Sequence, residues 1–185
     1  MKKTVVAAAD GCEEIELVAP VDVLRRGGVE VRVLSVSGKE WVEGSHGIRI
    51  GADGAWDEKE AMAADLFVIP GGMKGVERLL GDERVLKVVK ERHAAGKWVA
   101  AICAGPLVLA KAGALEGARF TCHPSVRGRL AGVAEDNPEA TTDSAKRVAT
   151  GRGAGTAVAF GLSLLSVLEG AEKARDVAAG MAIAP

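Results

Sequence analysis

Tyrosine is absent from this 185-residue sequence, and aromatic residues of all kinds make up only 3% of it. A chain so poor in flat rings offers no stacking platform for single-stranded nucleic acid. Charge of one sign is also missing: 24 Lys and Arg against 25 Asp and Glu give a formal net charge of -1. The sequence therefore lacks the basic footprint by which proteins hold DNA, RNA or an anionic membrane. No apolar run approaches the ~20 residues of a membrane span. The opening "MKKTVVAAAD" has an apolar run of about five residues ended by Asp10, short of the roughly 7–15 of a secretory leader. Cysteine is scarce. Cys12, Cys103 and Cys122 are an odd number without CxxC spacing, which argues against a disulfide framework or a structural zinc site. A reducing cytoplasm is the expected compartment.

What is present is 48% hydrophobic residues, 26% charged residues and 24 glycines. This is the balance of one globular domain, expected to span 1–185 without a linker. Strand-like "TVVAAA" (4–9) precedes a helical "EEIELVAPVDVLRRGG" (13–28), then a strand "VEVRVLSV" (29–36). "EWVEGSHGIRIGAD" predicts a short hairpin on the edge. "ADLFVIPGG" reads as a strand entering a glycine loop, and "GVERLLGDERVLKVVKERHAAG" has helical spacing. "KWVAAIC" and a helix opened by Pro106 follow. "ARFTCHPSVRGRLAG" reads as strand then helix, "ATTDSAKRVATG" as a strand pair, and "GTAVAFGLSLLSVLEG" and "AEKARDVAAGMAI" as closing helices. Strands alternating with helices predict a mostly parallel sheet covered on both faces.

In open α/β sheets, reactive groups gather where strands run into helices. Cys103 falls at such a boundary in "AAICAGP", an arrangement like a nucleophile elbow. Pro106 suits a first helical position. A thiol at a helix start is expected to ionise readily, with the Ala104 N–H turned toward an oxyanion formed at the sulfur. The alternative is a buried Cys acting as a small hydrophobe. Gly71 and Gly72 of "VIPGG" can supply a second donor, although Pro-Gly-Gly is also a generic turn. In "GCEEIELVAP", Pro20 leaves the Glu16 carbonyl without its helical partner. Turned inward, Glu16 would be a protonated acid; turned outward, Glu13, Glu14 and Glu16 form a solvated first turn.

Together "GCEEIELVAPVDVLRRGG", "LFVIPGG", "AAICAGP", "TCHP" and "GRGAGTAVAFGL" resemble the ThiJ/PfpI superfamily, in its Parkinson-associated deglycase branch. The resemblance implies a flavodoxin-like three-layer sandwich, akin to class I glutamine amidotransferases, and a homodimer. It makes Cys103 the nucleophile or redox centre, Glu16 its protonated partner, and Gly72 and Ala104 the oxyanion donors, with Gly71 shaping the turn. His123 matches a histidine near the cysteine, and Arg26, His46, Arg152 and Gly153 are expected to support the pocket. The peptidase branch carries a histidine directly after the cysteine; here it is Ala104, which disfavours peptide hydrolysis. His46 stands for a family arginine and Ala154 for a family proline. "TGRGAGTA" has Thr156 where a dinucleotide loop has its third glycine and lies too late in the chain for a first βα turn. His93, among Lys90, Glu91 and Arg92, reads as a solvated helical face. Cys12 and Cys122 read as packing residues.

The activity implied is cofactor-independent chemistry on small reactive aldehydes or glycated amines and thiols, with no metal. A redox sensor or stress-linked chaperone would use the same residues.

Overall fold

A computed structural model describes residues 1–130 and 138–183, with residues 133–134 described by their backbone. Five parallel strands form the centre: β1 (Lys3–Ala8), β2 (Glu30–Ser35) and, further along the chain, the segments Leu66–Ile69, Trp98–Ile102 and Val148–Gly151. Between them lie α1 (Glu14–Arg26), the hairpin β3 (Trp41–Glu43) and β4 (Arg49–Gly51), β5 (Gly54–Ala55) and α2 (Glu58–Ala63). After Leu66–Ile69, which is β6, come α3 (Met73–Leu80) and α4 (Glu83–Ala94). Trp98–Ile102 is β7, followed by α5 (Pro106–Lys111), β8 (Arg119–Phe120), α6 (Pro124–Arg127), β9 (Val133–Ala134) and β10 (Ala140–Asp143). Val148–Gly151 is β11, and α7 (Ala157–Glu169) and α8 (Ala171–Gly180) end the fold.

The sheet order is β10-β11-β7-β6-β1-β2-β5, parallel except for the antiparallel pair β10–β11. The five central strands, counted in chain order, run 2-1-3-4-5, the flavodoxin-like arrangement. β6, β7 and the Val5–Ala8 stretch of β1 are apolar on both sides because helices cover both faces, whereas β2, nearer the edge, carries Glu30 and Arg32. Thus Val5, Ala7, Phe67 and Ile69 pack with α3, α4 and α5, while Val6, Ala8, Leu66 and Val68 pack with α1 and α7. This is the predicted three-layer sandwich.

Three local readings differ. The segment 75–96 is two helices, because Gly81 closes α3 and Asp82 caps α4 through the Arg84 N–H. β8 leaves the main sheet and pairs with β9. Arg92 does not join a solvated face: it is 0% exposed, and its guanidinium donates to the carbonyls of Ala61, Ala64 and Trp98. His93, beside it, is half-buried. Among the described residues no helix is long and apolar enough to cross a membrane.

Candidate active site

The site forms where β1, β6 and β7 end, beside the switch point between β1 and β6. Cys103 directly follows β7 with φ 63°, a left-handed backbone that a non-glycine residue adopts only under local constraint. The constraint is visible: its N–H donates to Gly151 O (2.9 Å) and its carbonyl accepts from the His123 N–H (2.9 Å). Pro106 then opens α5. The elbow lifts the sulfur above the sheet, and Cys103 is partly rather than fully buried.

Glu16 comes from the first turn of α1 and is 1% exposed. The solvated alternative for this turn is therefore excluded for Glu16 and also for Glu14, which is 6% exposed. Pro20 lies within α1 without ending it. The Glu16 Oε2 is buried without a partner at hydrogen-bonding geometry, while the Cys103 sulfur and the N–H groups of Gly71 and Ala154 act on the carboxyl at close range. Burial raises the Glu16 pKa to about 7, the Glu13 charge adds to the rise, and Cys103 and the two N–H groups oppose it.

The sulfur meets the same physics. Burial pushes the Cys103 thiol up to about 12, helped by the charge and hydrogen bond of Glu16 and opposed by the N–H groups of Ala104 and Gly72. The expected readily ionised thiol is thus corrected. α5 has only six residues, and two backbone donors do not outweigh burial next to a carboxylate. Burial disfavours charge on either group and each charge disfavours the other. Near neutral pH the pair carries one negative charge at most, and it rests on sulfur only while Glu16 holds the proton.

Glycines make this approach possible. A Cβ on Gly71 would lie 2.1 Å from Glu16 Oε2 and 2.6 Å from Cys103 Cβ. Gly72, at φ 85°, would place a Cβ 2.4 Å from the Glu13 nitrogen. The expected donors Ala104 and Gly72 do converge on the sulfur.

His123 borders the site without pairing with the thiol. Its Nδ1 accepts from the Ser125 N–H (3.2 Å) and meets Ser125 Oγ (2.8 Å), while its ring lies beside Gly153. Gly153 and the following Ala154 bring the loop after β11 against Glu16. Arg152 precedes them, its N–H donating to Glu139 O. With Ala104 4% exposed and His123 turned to Ser125, no Cys–His pair forms at this elbow.

Two expected pocket residues are elsewhere. Arg26 ends α1 and pairs with Asp22 at 2.7 Å, ten residues and about 15 Å along the helix from Glu16. Its pattern position suggested a charge near the site, but the helix carries it to the opposite end. His46 is largely exposed and binds Glu14 rather than the thiol: its N–H donates to Oε1 (2.7 Å) and its Nδ1 meets Oε2 (2.9 Å). Burial works against the Glu14 charge, but these His46 bonds hold its pKa down to about 2. They raise the pKa of His46. Ser45 Oγ completes the contact at 3.2 Å, latching the hairpin onto α1.

Sequence reasoning passed over Glu13. It caps α1 by accepting the Glu16 N–H (2.8 Å), and its own N–H donates to Gly71 O (3.0 Å). The Glu-x-x-Glu spacing before an apolar run was the available signal. Ligand-type atoms of Glu13, Glu14 and His46 lie within 4.8 Å of one another, but the Glu14 oxygens and one Glu13 oxygen are already engaged in the latch and the cap. That corner is a hydrogen-bonded joint between α1 and the hairpin. Cys12 and Cys122 are buried with raised pKa values, burial being the main cause, as suits packing residues.

Comparison with known proteins places these features. The family model described as DJ-1/PfpI family matches residues 2–167. Protein DJ-1 homologs A and B of Arabidopsis thaliana are each 36% identical over 185 residues; these cover 100% of this chain but only 47% and 42% of theirs. This chain thus spans less than half the length of those relatives. The Caenorhabditis elegans protein named glutathione-independent glyoxalase DJR-1.2 is 33% identical over 168 residues, 91% of this chain and 89% of that one. The crystal structure of Drosophila melanogaster DJ-1beta superposes with a TM-score of 0.92 at 34% identity, covering 100% of this chain and 99% of that one.

Proposed function

The chain belongs to the DJ-1/PfpI family, and from that membership we propose that it is a cofactor-independent cysteine enzyme acting on methylglyoxal, glyoxal and related reactive aldehydes. The observation that carries the reading is the Cys103–Glu16 pair, with the N–H groups of Gly72 and Ala104 turned to the sulfur. A relative named as a glyoxalase supports it.

In this reading the Cys103 thiol passes its proton to the Glu16 carboxylate as the sulfur attacks the aldehyde carbon of methylglyoxal, and Glu16 hands that proton to the carbonyl oxygen, giving a hemithioacetal. Glu16, now a base, removes the hydrogen of that carbon as a proton and returns it to the neighbouring carbon, while the hydroxyl proton passes to the former ketone oxygen, leaving a thioester. The aldehyde carbon is thereby oxidised and the ketone carbon reduced, with no outside oxidant. Water cleaves the resulting thioester to lactate and free thiol. The two N–H groups stabilise oxygen charge in each tetrahedral stage. His123, on the rim, relays protons to solvent. Attack on the adducts that such aldehydes form with amines or thiols would give deglycase activity and protection against carbonyl and oxidative stress.

A free thiol must persist for this chemistry, which favours the reducing cytoplasm. A homodimer is proposed through the face on which Ile15 and Val18 of α1 and Ile48 of the hairpin are exposed. The test of the activity is Cys103→Ser in a chelator-treated sample: lactate formation from methylglyoxal should vanish, and its persistence refutes the mechanism.

One observation favours a second reading, a redox sensor. The N–H donors of Ala104 and Gly72 around a partly open sulfur suit the oxygens of a sulfinate. Selective oxidation of Cys103 by mild peroxide, with no aldehyde turnover, would select it.

A further inference from the structure

We propose that Glu13 is the positioning residue of this site: its cap sets the Glu16 carboxyl against Cys103, and its negative charge keeps the shared proton on Glu16. The inference rests on the proposed aldehyde chemistry for its purpose, but not for its geometry.

Two bonds fix the geometry. Glu13 accepts the Glu16 N–H through Oε2 at 2.8 Å, and donates its own N–H to Gly71 O at 3.0 Å. One residue therefore ties the start of α1 to the loop that carries the Gly72 donor. The backbone of Glu13 fills the space where a side chain on Gly72 would sit. Asp, Asn, Ser and Thr are the favoured caps, so capping alone does not call for the longer glutamate. What Glu adds over Ser, Thr or Asn is a full negative charge at the first turn, beside an acid that must stay neutral.

The surroundings of Glu16 leave that charge a clear role. From β7 it faces Cys103, from the β6 loop the Gly71 N–H, and from the loop after β11 the Ala154 N–H, with Arg152 and Gly153 just before it and His123 alongside. From its own helix it faces Glu13. After burial, Glu13 is the charge that raises the Glu16 pKa, whereas the charge that weighs most on Cys103 is that of Glu16. Glu13 thus pushes the proton toward the carboxyl more than toward the sulfur. Its charge also reaches Cys12, next to it in the chain, and His46 on the hairpin, whose bonding partner is Glu14.

The test uses the intact chain and reads the pair without turnover. Iodoacetamide modification of Cys103 is followed by peptide mass spectrometry across the pH range, and the Glu16 carboxyl is titrated by carbon NMR. Glu13→Gln keeps an oxygen for the cap and loses the charge. It should lower the Glu16 pKa by roughly half a unit to one unit and slow Cys103 modification at about pH 7 by about 2–5-fold, with the fold retained. Glu13→Asp should restore most of both. If Glu13→Gln matches wild type in both readouts, Glu13 is a structural cap and the proposal is overturned. Absence of methylglyoxal turnover in the wild type would sink the aldehyde reading and leave this measurement standing.

Discussion

The carboxyl of Glu16 and the thiol of Cys103 face each other across the space that Gly71 leaves empty. A single methyl group on Gly71 would stand 2.1 Å from one and 2.6 Å from the Cβ of the other. Neither atom has room to retreat, since Glu16 is buried and Cys103 is pinned through Gly151 and His123. Gly71→Ala should therefore reduce aldehyde turnover by about 100-fold or more, the scale of losing a positioned proton-transfer group. Gly51→Ala, where no atom lies within 4 Å of the added carbon, is the matched control and should leave kcat unchanged.

Removing the Glu16 charge should separate reactivity from catalysis. In wild type above neutral pH, ionised Glu16 helps hold the thiol near 12. Glu16→Gln removes that charge, so Cys103 should ionise at lower pH and be alkylated faster at about pH 9 than in wild type. Turnover should nevertheless fall about 100-fold to 10,000-fold, because an amide moves no proton. Parallel loss of both would show that Glu16 acts on the sulfur only by shaping the fold.

Much of this was legible in the chain. Near-continuous apolar runs such as "LFVI" mark strands covered on both faces, and the order of strands and helices dictates the sandwich. Cys103 was legible because a cysteine, Ala-Gly and a proline at a strand end form an elbow in the chain itself. The orientation of Glu16 was not, since a first-turn glutamate faces solvent or core according to what lies above the helix, here Gly71 and Cys103. Arg26 and His46 were misplaced for a related reason: a charged residue near a motif in sequence is carried away by the helical rise or captured by a nearer carboxylate. The thiol pKa depended on desolvation, which no local pattern reports.

The raised pKa of Glu16 has a consequence for stability. In the unfolded chain its carboxyl ionises near the ordinary value of 4.5; in the fold it holds its proton to about 7. Between these pH values the folded state binds more protons than the unfolded state, so stability falls as pH rises through the window. The contribution is about 3 kcal/mol, present in full below about pH 4.5 and lost as pH rises through about 7. Urea unfolding at intervals across this window should show wild type losing stability relative to Glu16→Gln, which carries no proton to release. A constant difference between the two would mean that Glu16 titrates normally.

Arg92 offers a test away from the site. Its guanidinium is fully buried on α4 and donates to four backbone carbonyls: Ala61 and Ala64 at 2.8 Å, Trp98 at 2.9 Å and, at the longer distance of 3.4 Å, Met62. The first two belong to the end of α2, where helical carbonyls lack their own partners, and the third to the start of β7. Burial lowers the Arg92 pKa only to about 10, so the group stays charged at neutral pH. Arg92→Ala leaves those carbonyls buried without donors and opens a cavity, and should cost about 3–5 kcal/mol. Arg92→Lys should recover little, because one ammonium cannot match a planar fork spread over two elements. Because the damage is confined to the joint between α2, α4 and β7, the pH profile of Cys103 alkylation in still-folded Arg92→Lys should match wild type. A shifted profile would mean that this joint also sets the height of β7 and with it the elbow.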